Sequence, residues 1–307
     1  MTTHAGATDV ALTPLARRAR WAVAVLRTAR PRQWPKNLLV FAAPLAGASL
    51  GRRDGLAYAL VAAAAFGFAS VAVYFVNDVA DAERDRLHPR KRHRPVASGE
   101  LPKPHAVVLG VGCALAGLAA GLLIAEPLLI ATVAAYLGLS FLYSWKLKQI
   151  PVIELLFLAS GFLLRVLGGA AATRVPPSGW FLLVCSLGAL GVALAKRYSE
   201  LTSLGAEAVA HRPVMRWYRP AALRLSQIAV GAGMIAAYLA WAASENPEAR
   251  FWHLASALPL AAALVRFGYL TGRRTENGSA PVEDLLTRDG PMLACEACWL
   301  ALFVAGL

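Results

Sequence analysis

The chain has 307 residues, 58% of them hydrophobic, with mean hydropathy +0.52 and a formal net charge of +13. Water-soluble chains typically carry about 45–50% apolar residues, so an ordinary soluble domain is excluded. The charge would suggest nucleic acid in a soluble protein. Here the basic residues fall in loops between apolar segments, as a membrane protein requires, and no nucleic-acid partner is expected.

Residues 1–20 are polar and basic without an apolar core, so no secretory signal is read there. That stretch is expected to be flexible, within a cytoplasmic N-terminal tail of residues 1–30, with 31–307 a transmembrane catalytic domain. A spanning helix needs about 20 apolar residues. Nine segments are candidates: 37–51, 56–76, 104–125, 127–144, 151–173, 179–195, 220–243, 251–270 and 289–307. The first is short and contains Pro44. Backbone groups in lipid must be satisfied internally, and no strand periodicity competes. The expected fold is therefore all-α, a polytopic membrane helix bundle of about nine transmembrane helices. Its Gly- and Ala-rich faces suit packing within one chain or in a homo-oligomer. With the N-terminus inside, the inner segments hold 23 Lys and Arg, while the outer connections hold only Arg52, Arg53, Arg174 and Arg250. That asymmetry makes the N-terminus cytoplasmic and places loops 77–103, 145–150 and 196–219 on the inner side. The four cysteines, including the pair Cys295 and Cys298, lie inside apolar segments and read as small helix residues.

The second segment ends in Asn77-Asp78-Val79-Ala80-Asp81-Ala82-Glu83-Arg84-Asp85. Asp78, Asp81 and Asp85 recur at three- and four-residue spacing, so a helix puts them on one face, with Tyr74 a turn earlier and Asn77 at the edge. Three like charges on one stripe need a positive partner. A hard cation such as Mg²⁺ prefers carboxylates together with substrate phosphate oxygens. The competing reading is an acidic helix end paired with its basic neighbours. Position favours function, because ionisable groups where a spanning helix leaves lipid usually face a cavity or pathway. The run from His88 to Pro95 reads either as positive-inside topology and anionic-lipid binding or as a phosphate clamp, with Lys91 and Arg94 the candidates. Further on, Glu154 lies near the start of the fifth segment, as a candidate partner of a lysine. Arg165 sits 11 residues later, about 16 Å deeper, as a cavity-lining charge or a structural clamp.

Asn77, Asp78, Asp81 and Asp85, followed by Arg94-Pro95-Val96-Ala97-Ser98-Gly99 and preceded by Pro31-Arg32-Gln33-Trp34-Pro35-Lys36-Asn37, resemble the UbiA superfamily of intramembrane prenyltransferases. The resemblance spans about residues 30–305. Most of that superfamily carries a second motif, D-x-x-x-D, after the sixth helix. Here the place reads Lys196-Arg197-Tyr198-Ser199-Glu200. With Tyr143-Ser144-Trp145-Lys146-Leu147-Lys148 and Glu154, this resembles the decaprenyl-phosphate phosphoribosyltransferase subfamily.

The resemblance implies transfer of 5-phosphoribose from phosphoribosyl pyrophosphate (PRPP) to a polyprenyl phosphate, with release of pyrophosphate. It also implies Mg²⁺ at Asn77, Asp78, Asp81 and Asp85, a multi-pass plasma-membrane location with a cytoplasmic active site, and a role in making cell-wall arabinan precursors. The resemblance further implies Lys36, Asn37, Tyr74, Lys91, Arg94, Tyr143, Lys146, Lys148, Glu154, Arg165, Lys196, Arg197 and Glu200 as substrate-binding residues, with Glu154 on the ribose hydroxyls as the alternative to a lysine. Each cation alone also reads as a topology or snorkelling residue. Two other functions compete. One is prenyl transfer from an isoprenoid diphosphate to an aromatic or haem acceptor, which the missing D-x-x-x-D disfavours. The other is anion transport, disfavoured because no inverted repeat is evident and the acids cluster at one surface.

Overall fold

The computed structural model describes residues 14–88, 91–145, 147–205, 207–244, 247–273, 282 and 285–307. Among them the chain is helical, in this order: α1 (Pro14–Ala29), a 3-10 segment (Pro31–Phe41), α2 (Ala42–Ala46), α3 (Gly55–Arg86), α4 (Pro95–Ser98), α5 (Lys103–Leu123), α6 (Pro127–Trp145), α7 (Ile153–Thr173), α8 (Gly179–Leu204), α9 (Glu207–His211), α10 (Pro220–Ser244), α11 (Pro247–Arg273), α12 (Leu285–Arg288) and α13 (Gly290–Ala305). Seven of the described helices are long and apolar enough to cross a membrane: α3, α5, α6, α7, α8, α10 and α11. The chain is a multi-pass membrane protein of helical fold.

Two of the nine expected spans differ. Over 37–51 the chain forms the end of the 3-10 segment and the five-residue α2 instead of one helix. Pro35 and Pro44 have no N–H to give to a helical ladder, and Ala48 has a left-handed φ of 48°. The last span, α13, is a 16-residue helix, short of the about 20 residues a full crossing needs. The N-terminal stretch differs too. Residues Pro14–Ala29 are helical, and Ala24, Thr28 and Ala29 are buried, where a flexible tail was expected from the polar composition.

The described residues fall into two compact units, one within Met1–Pro35 and Gly67–Gly117, the other within Lys36–Phe66 and Leu118–Leu307. In the first, Ala24, Ala29, Val71, Phe75, Ala82, Val96, Leu101 and Ala106 form a core between α1, α3, α4 and α5. Its basic loop is pinned from several sides. Arg27 donates to Glu100 at 2.8 Å and to the His93 carbonyl at 2.7 Å, Arg86 donates to the Ala97 carbonyl at 3.0 Å, and Lys103 pairs with Glu83 at 2.6 Å. α3 has 32 residues, about 48 Å of helix against about 30 Å of hydrocarbon. Its last turns therefore carry the aspartate motif out of the apolar layer without a break in the helix.

In the second unit α7 packs on α2, α6 and α8, α8 on α10, and α11 on α10 and α13. Close approach of α7 depends on glycine. A Cβ at Gly169 would come 1.8 Å from the Val40 carbonyl oxygen, and one at Gly168 would come 2.2 Å from the Phe66 ring. The Val40 contact is backbone and cannot rotate away. Gly169→Ala is therefore expected to destabilise the fold by about 1–3 kcal/mol. The check is a lowered thermal midpoint and reduced monodisperse yield in detergent.

Candidate active site

In the first unit the helical register of α3 brings Tyr74, Asn77, Asp78, Asp81 and Asp85 along one stripe. Asp78 and Asp85 are buried, and Asp81 is partly exposed. Each carboxylate has an arginine. Arg30 pairs with Asp78. Arg94 Nη1 lies 2.8 Å from Asp85 and 3.3 Å from Asp78, bridging the two acids. Arg84 pairs with Asp81 at 2.6 Å.

Arg30 is held by its local chain. It ends α1 with a left-handed φ of 51°, Gln33 N donates to its carbonyl at 2.8 Å, and Trp34 Nε1 donates to the preceding Ala29 carbonyl at 3.0 Å. Its guanidinium lies 5.0 Å from the Tyr74 ring centroid, a cation–π contact. Arg94 precedes α4, whose first residue is Pro95 and whose end is the left-handed Gly99, φ 86°. This turn is the Arg94–Gly99 stretch noted in the sequence. Lys91 is exposed, in the 3-10 turn Lys91–His93.

Among the described residues no three His, Cys, Asp or Glu side chains converge closely enough to hold a metal ion. The donor set nevertheless fits a hard cation. It offers three carboxylates, two of them buried, and the Asn77 Oδ1 is a buried acceptor with no hydrogen-bond partner among the described residues. An unmet buried acceptor is costly, and beside carboxylates it suits an ion that takes oxygen ligands.

In the second unit a separate charged network ties α7 to α8. Glu154, in the first turn of α7, is fully buried, and Arg197 on α8 is 1% exposed. Arg197 grips it bidentately, with Nε to Oε1 and Nη2 to Oε2 both at 2.6 Å. The third branch, Nη1, donates to Glu200 at 2.6 Å, one turn along α8. Arg212 lies 3.6 Å from Glu154 and 3.5 Å from Glu200. The Tyr143 hydroxyl accepts from both arginines, at 3.3 Å from Arg197 and 3.0 Å from Arg212. Tyr218 donates to Glu154 at 3.2 Å and accepts from Val152 N at 3.0 Å. Burial pushes the Tyr218 hydroxyl above its usual range, the Val152 N–H opposes this and the Glu154 charge adds to it, so the group stays protonated and donates.

Elsewhere in this unit Arg165 Nε donates to Asn37 Oδ1 at 2.8 Å and Nη2 to Tyr136 at 3.1 Å, with the Tyr136 ring centroid 4.7 Å from the guanidinium. This arginine fastens the 3-10 segment to α6 and α7. Lys36, next to Asn37, and Lys196, next to Arg197, are half-buried. Lys148 falls in the 3-10 turn Leu147–Gln149, and Lys146 lies outside the described residues.

The structure thus joins Asp78, Asp85 and Arg94 in one cluster, Tyr143, Glu154, Arg197 and Glu200 in a second, and Asn37 with Arg165 in a third. Three contributors were not foreseen: Arg30, Arg212 and Tyr218. Arg30 stands immediately before the Pro31–Asn37 stretch, a signal that was within reach. Arg212 and Tyr218 carry no comparable mark, being 58 and 64 residues from Glu154 in sequence.

Comparison with known proteins places the family. The model of the UbiA prenyltransferase family matches residues 37–282. The decaprenyl-phosphate phosphoribosyltransferase of Mycobacterium tuberculosis is 34% identical over 282 residues, 90% of this chain and 92% of its own length. The protein of the same name from Corynebacterium glutamicum is 34% identical over 271 residues, 86% of this chain and 80% of its own. Among solved structures, a UbiA homolog from Archaeoglobus fulgidus bound to GPP and Mg²⁺ superposes with a TM-score of 0.71 at 18% identity, covering 92% of this chain and 99% of that one. At that identity the likeness is one of fold.

Proposed function

The chain belongs to the UbiA prenyltransferase family, and from that premise we propose that it transfers 5-phosphoribose from PRPP to a polyprenyl phosphate such as decaprenyl phosphate, releasing pyrophosphate. The observation that carries this reading is the fate of the acids near the end of α8. Glu200 is the one acid of Lys196-Arg197-Tyr198-Ser199-Glu200, and Arg197 and Arg212 hold it. Glu154 is held by the same two arginines. The segment thus offers one acid where D-x-x-x-D offers two, and lacks the carboxylate pair that a second metal for an isoprenoid diphosphate would need. The relatives named for phosphoribosyl transfer match over most of their length.

In this reading Asn77, Asp78, Asp81 and Asp85 hold Mg²⁺, which supplies positive charge against the pyrophosphate. Arg30 and Arg94, now on the carboxylates, turn their donors to diphosphate oxygens. Lys36, Lys91, Lys146, Lys148 and Lys196 supply further cations for the 5-phosphate and the lipid phosphate. Tyr143 keeps its own O–H proton for a substrate oxygen. As the bond from ribose C1 to pyrophosphate breaks, its electron pair leaves with pyrophosphate, and an anionic oxygen of the lipid phosphate bonds to C1. The nucleophile is already deprotonated, so no general base is needed, and catalysis is positioning and electrostatic stabilisation. The catalytic domain, 31–307, lies in the plasma membrane with its N-terminus and active site on the cytoplasmic side, as the Lys and Arg distribution favours.

The test is a donor swap with the purified protein. Decaprenyl phosphate with labelled PRPP is expected to give a phosphoribosylated lipid by mass spectrometry, with stoichiometric pyrophosphate. A prenylated product from isoprenyl diphosphate and an aromatic acid, with no product from PRPP, would replace this reading with prenyl transfer. Pyrophosphate release that needs the lipid acceptor separates either chemistry from transport.

A further inference from the structure

Arg224 lies on α10, four residues after Pro220. Its Nη1 donates to the Gly268 carbonyl of α11 at 2.8 Å, and reaches Gln227 Oε1 at 3.3 Å and Thr271 Oγ1 at 3.5 Å. Gln227 and Thr271 are buried, and Gln227 Nε2 in turn reaches Thr271 Oγ1 at 3.5 Å. The guanidinium rests on α11 at Gly268, where a Cβ would meet Nη1 at 3.5 Å and Nη2 at 3.6 Å. The Tyr198 ring of α8 lies 5.8 Å away. The group is thus fixed on three helices.

Arg30, Arg94, Arg197, Arg212 and Arg266 each have a carboxylate. Among the described residues Arg224 has none, and its hydrogen bonds are all made by Nη1. The edge formed by Nε and Nη2 is left as a planar pair of donors carrying a full charge. That fork matches two oxygens of a phosphate.

Depth and surroundings say what carries the phosphate. Arg224 is about 6 Å from the start of α10, and both α10 and α11 are long and apolar enough to cross a membrane. Leu225 and Ile228 on α10 and Val265 on α11, within four residues of Arg224 or Gly268 in sequence, are exposed and apolar. A free phosphate gains nothing from them, whereas a chain attached to the phosphate does. A terminal monoester also offers a bidentate donor three unesterified oxygens and a second charge, where a phospholipid diester offers two oxygens and one.

We propose that Arg224, oriented by the Gly268 carbonyl, Gln227 and Thr271, binds the phosphate of a lipid phosphate monoester whose chain lies along α10 and α11. The identification of that lipid with the polyprenyl phosphate acceptor rests on the phosphoribosyl-transfer reading.

Binding is measured without PRPP, by native mass spectrometry of the full-length protein in detergent with decaprenyl phosphate, phosphatidylglycerol or inorganic phosphate. The wild type is expected to retain decaprenyl phosphate over phosphatidylglycerol, and inorganic phosphate is expected not to displace it. Arg224→Gln is expected to weaken retention by about 10- to 100-fold, a charge-assisted hydrogen-bond pair expressed as affinity. Arg224→Lys, which keeps the charge without the fork, is expected to fall between and serves if the glutamine variant does not fold. In turnover, the KM for decaprenyl phosphate should rise by about tenfold or more while the KM for PRPP stays put.

Unchanged retention in both variants overturns the proposal. Equal loss of phosphatidylglycerol and decaprenyl phosphate overturns the substrate role and leaves a structural-lipid site, and displacement by inorganic phosphate assigns the edge to a free anion. Retention that depends on Arg224 in a protein with no phosphoribosyl transfer would instead sink the proposed function and leave this site standing.

Discussion

Asp78→Asn is expected to lower phosphoribosyl transfer by about 10²- to 10³-fold, the loss usual when one preorganised electrostatic contact to a developing charge is removed. The substitution keeps the shape of the side chain and removes its charge. Asp78 is 2% exposed and accepts from both Arg30 and Arg94, so the change also takes the charged partner from Arg30 and leaves Arg94 to Asp85. Asp81→Asn is expected to cost a comparable factor through the metal, with less disturbance of the arginines, because Asp81 is more exposed and pairs locally with Arg84. The measurement is the initial rate of label transfer from PRPP to lipid, across a Mg²⁺ titration. A lowered rate that added Mg²⁺ partly restores places both acids in cation binding, and near-normal transfer from both variants would remove that role.

Glu154→Gln is expected to destabilise the protein by about 3–5 kcal/mol, the range for breaking a buried ion pair by removing one partner. Arg197 would keep Glu200 on one branch and at most one of the two 2.6 Å bonds that hold α7 against α8, since an amide has one acceptor oxygen where the carboxylate has two. Thermal unfolding in detergent reads the loss. The informative comparison is the double variant Glu154→Gln with Arg197→Met. Removing both charges leaves nothing stranded, so its loss should be smaller than that of Glu154→Gln alone. A double variant as unstable as the sum of the two singles would show that the residues act independently.

The fold was legible where length and hydropathy decide it. Runs of about 20 apolar residues admit few alternatives to a helix in lipid, and α5, α6, α7 and α10 end within two residues of the expected bounds. The acidic stripe was legible because a three- and four-residue spacing has meaning only on a helix, and α3 is helical through Asp85. The first span was misread because apolar content outweighed Pro35 and Pro44 in the reading, while the backbone answers to their missing donors. Partners distant along the chain were the least legible. Glu154 was expected to meet ribose or a lysine, and its oxygens go to Arg197, 43 residues away, and to Arg212 and Tyr218. Asn37 and Arg165 were both singled out, but their bond joins residues 128 apart, which no local pattern encodes.

One consequence follows from α3 being a single unbroken helix. A loop can pinch or spread its ligands to suit an ion, as flexible calcium loops do. Asp78, Asp81 and Asp85 ride a rod whose backbone spacing is fixed by its own hydrogen bonds, so side-chain rotation is their main freedom. Oxygen distances for Mg²⁺ and Ca²⁺ differ by less than about half an ångström, within the reach of such rotations. Under the proposed metal role, discrimination between hard cations would then rest less on the gauge of the carboxylates than on competition, because an ion would have to displace Arg30 and Arg94 from them and give up part of its own water shell.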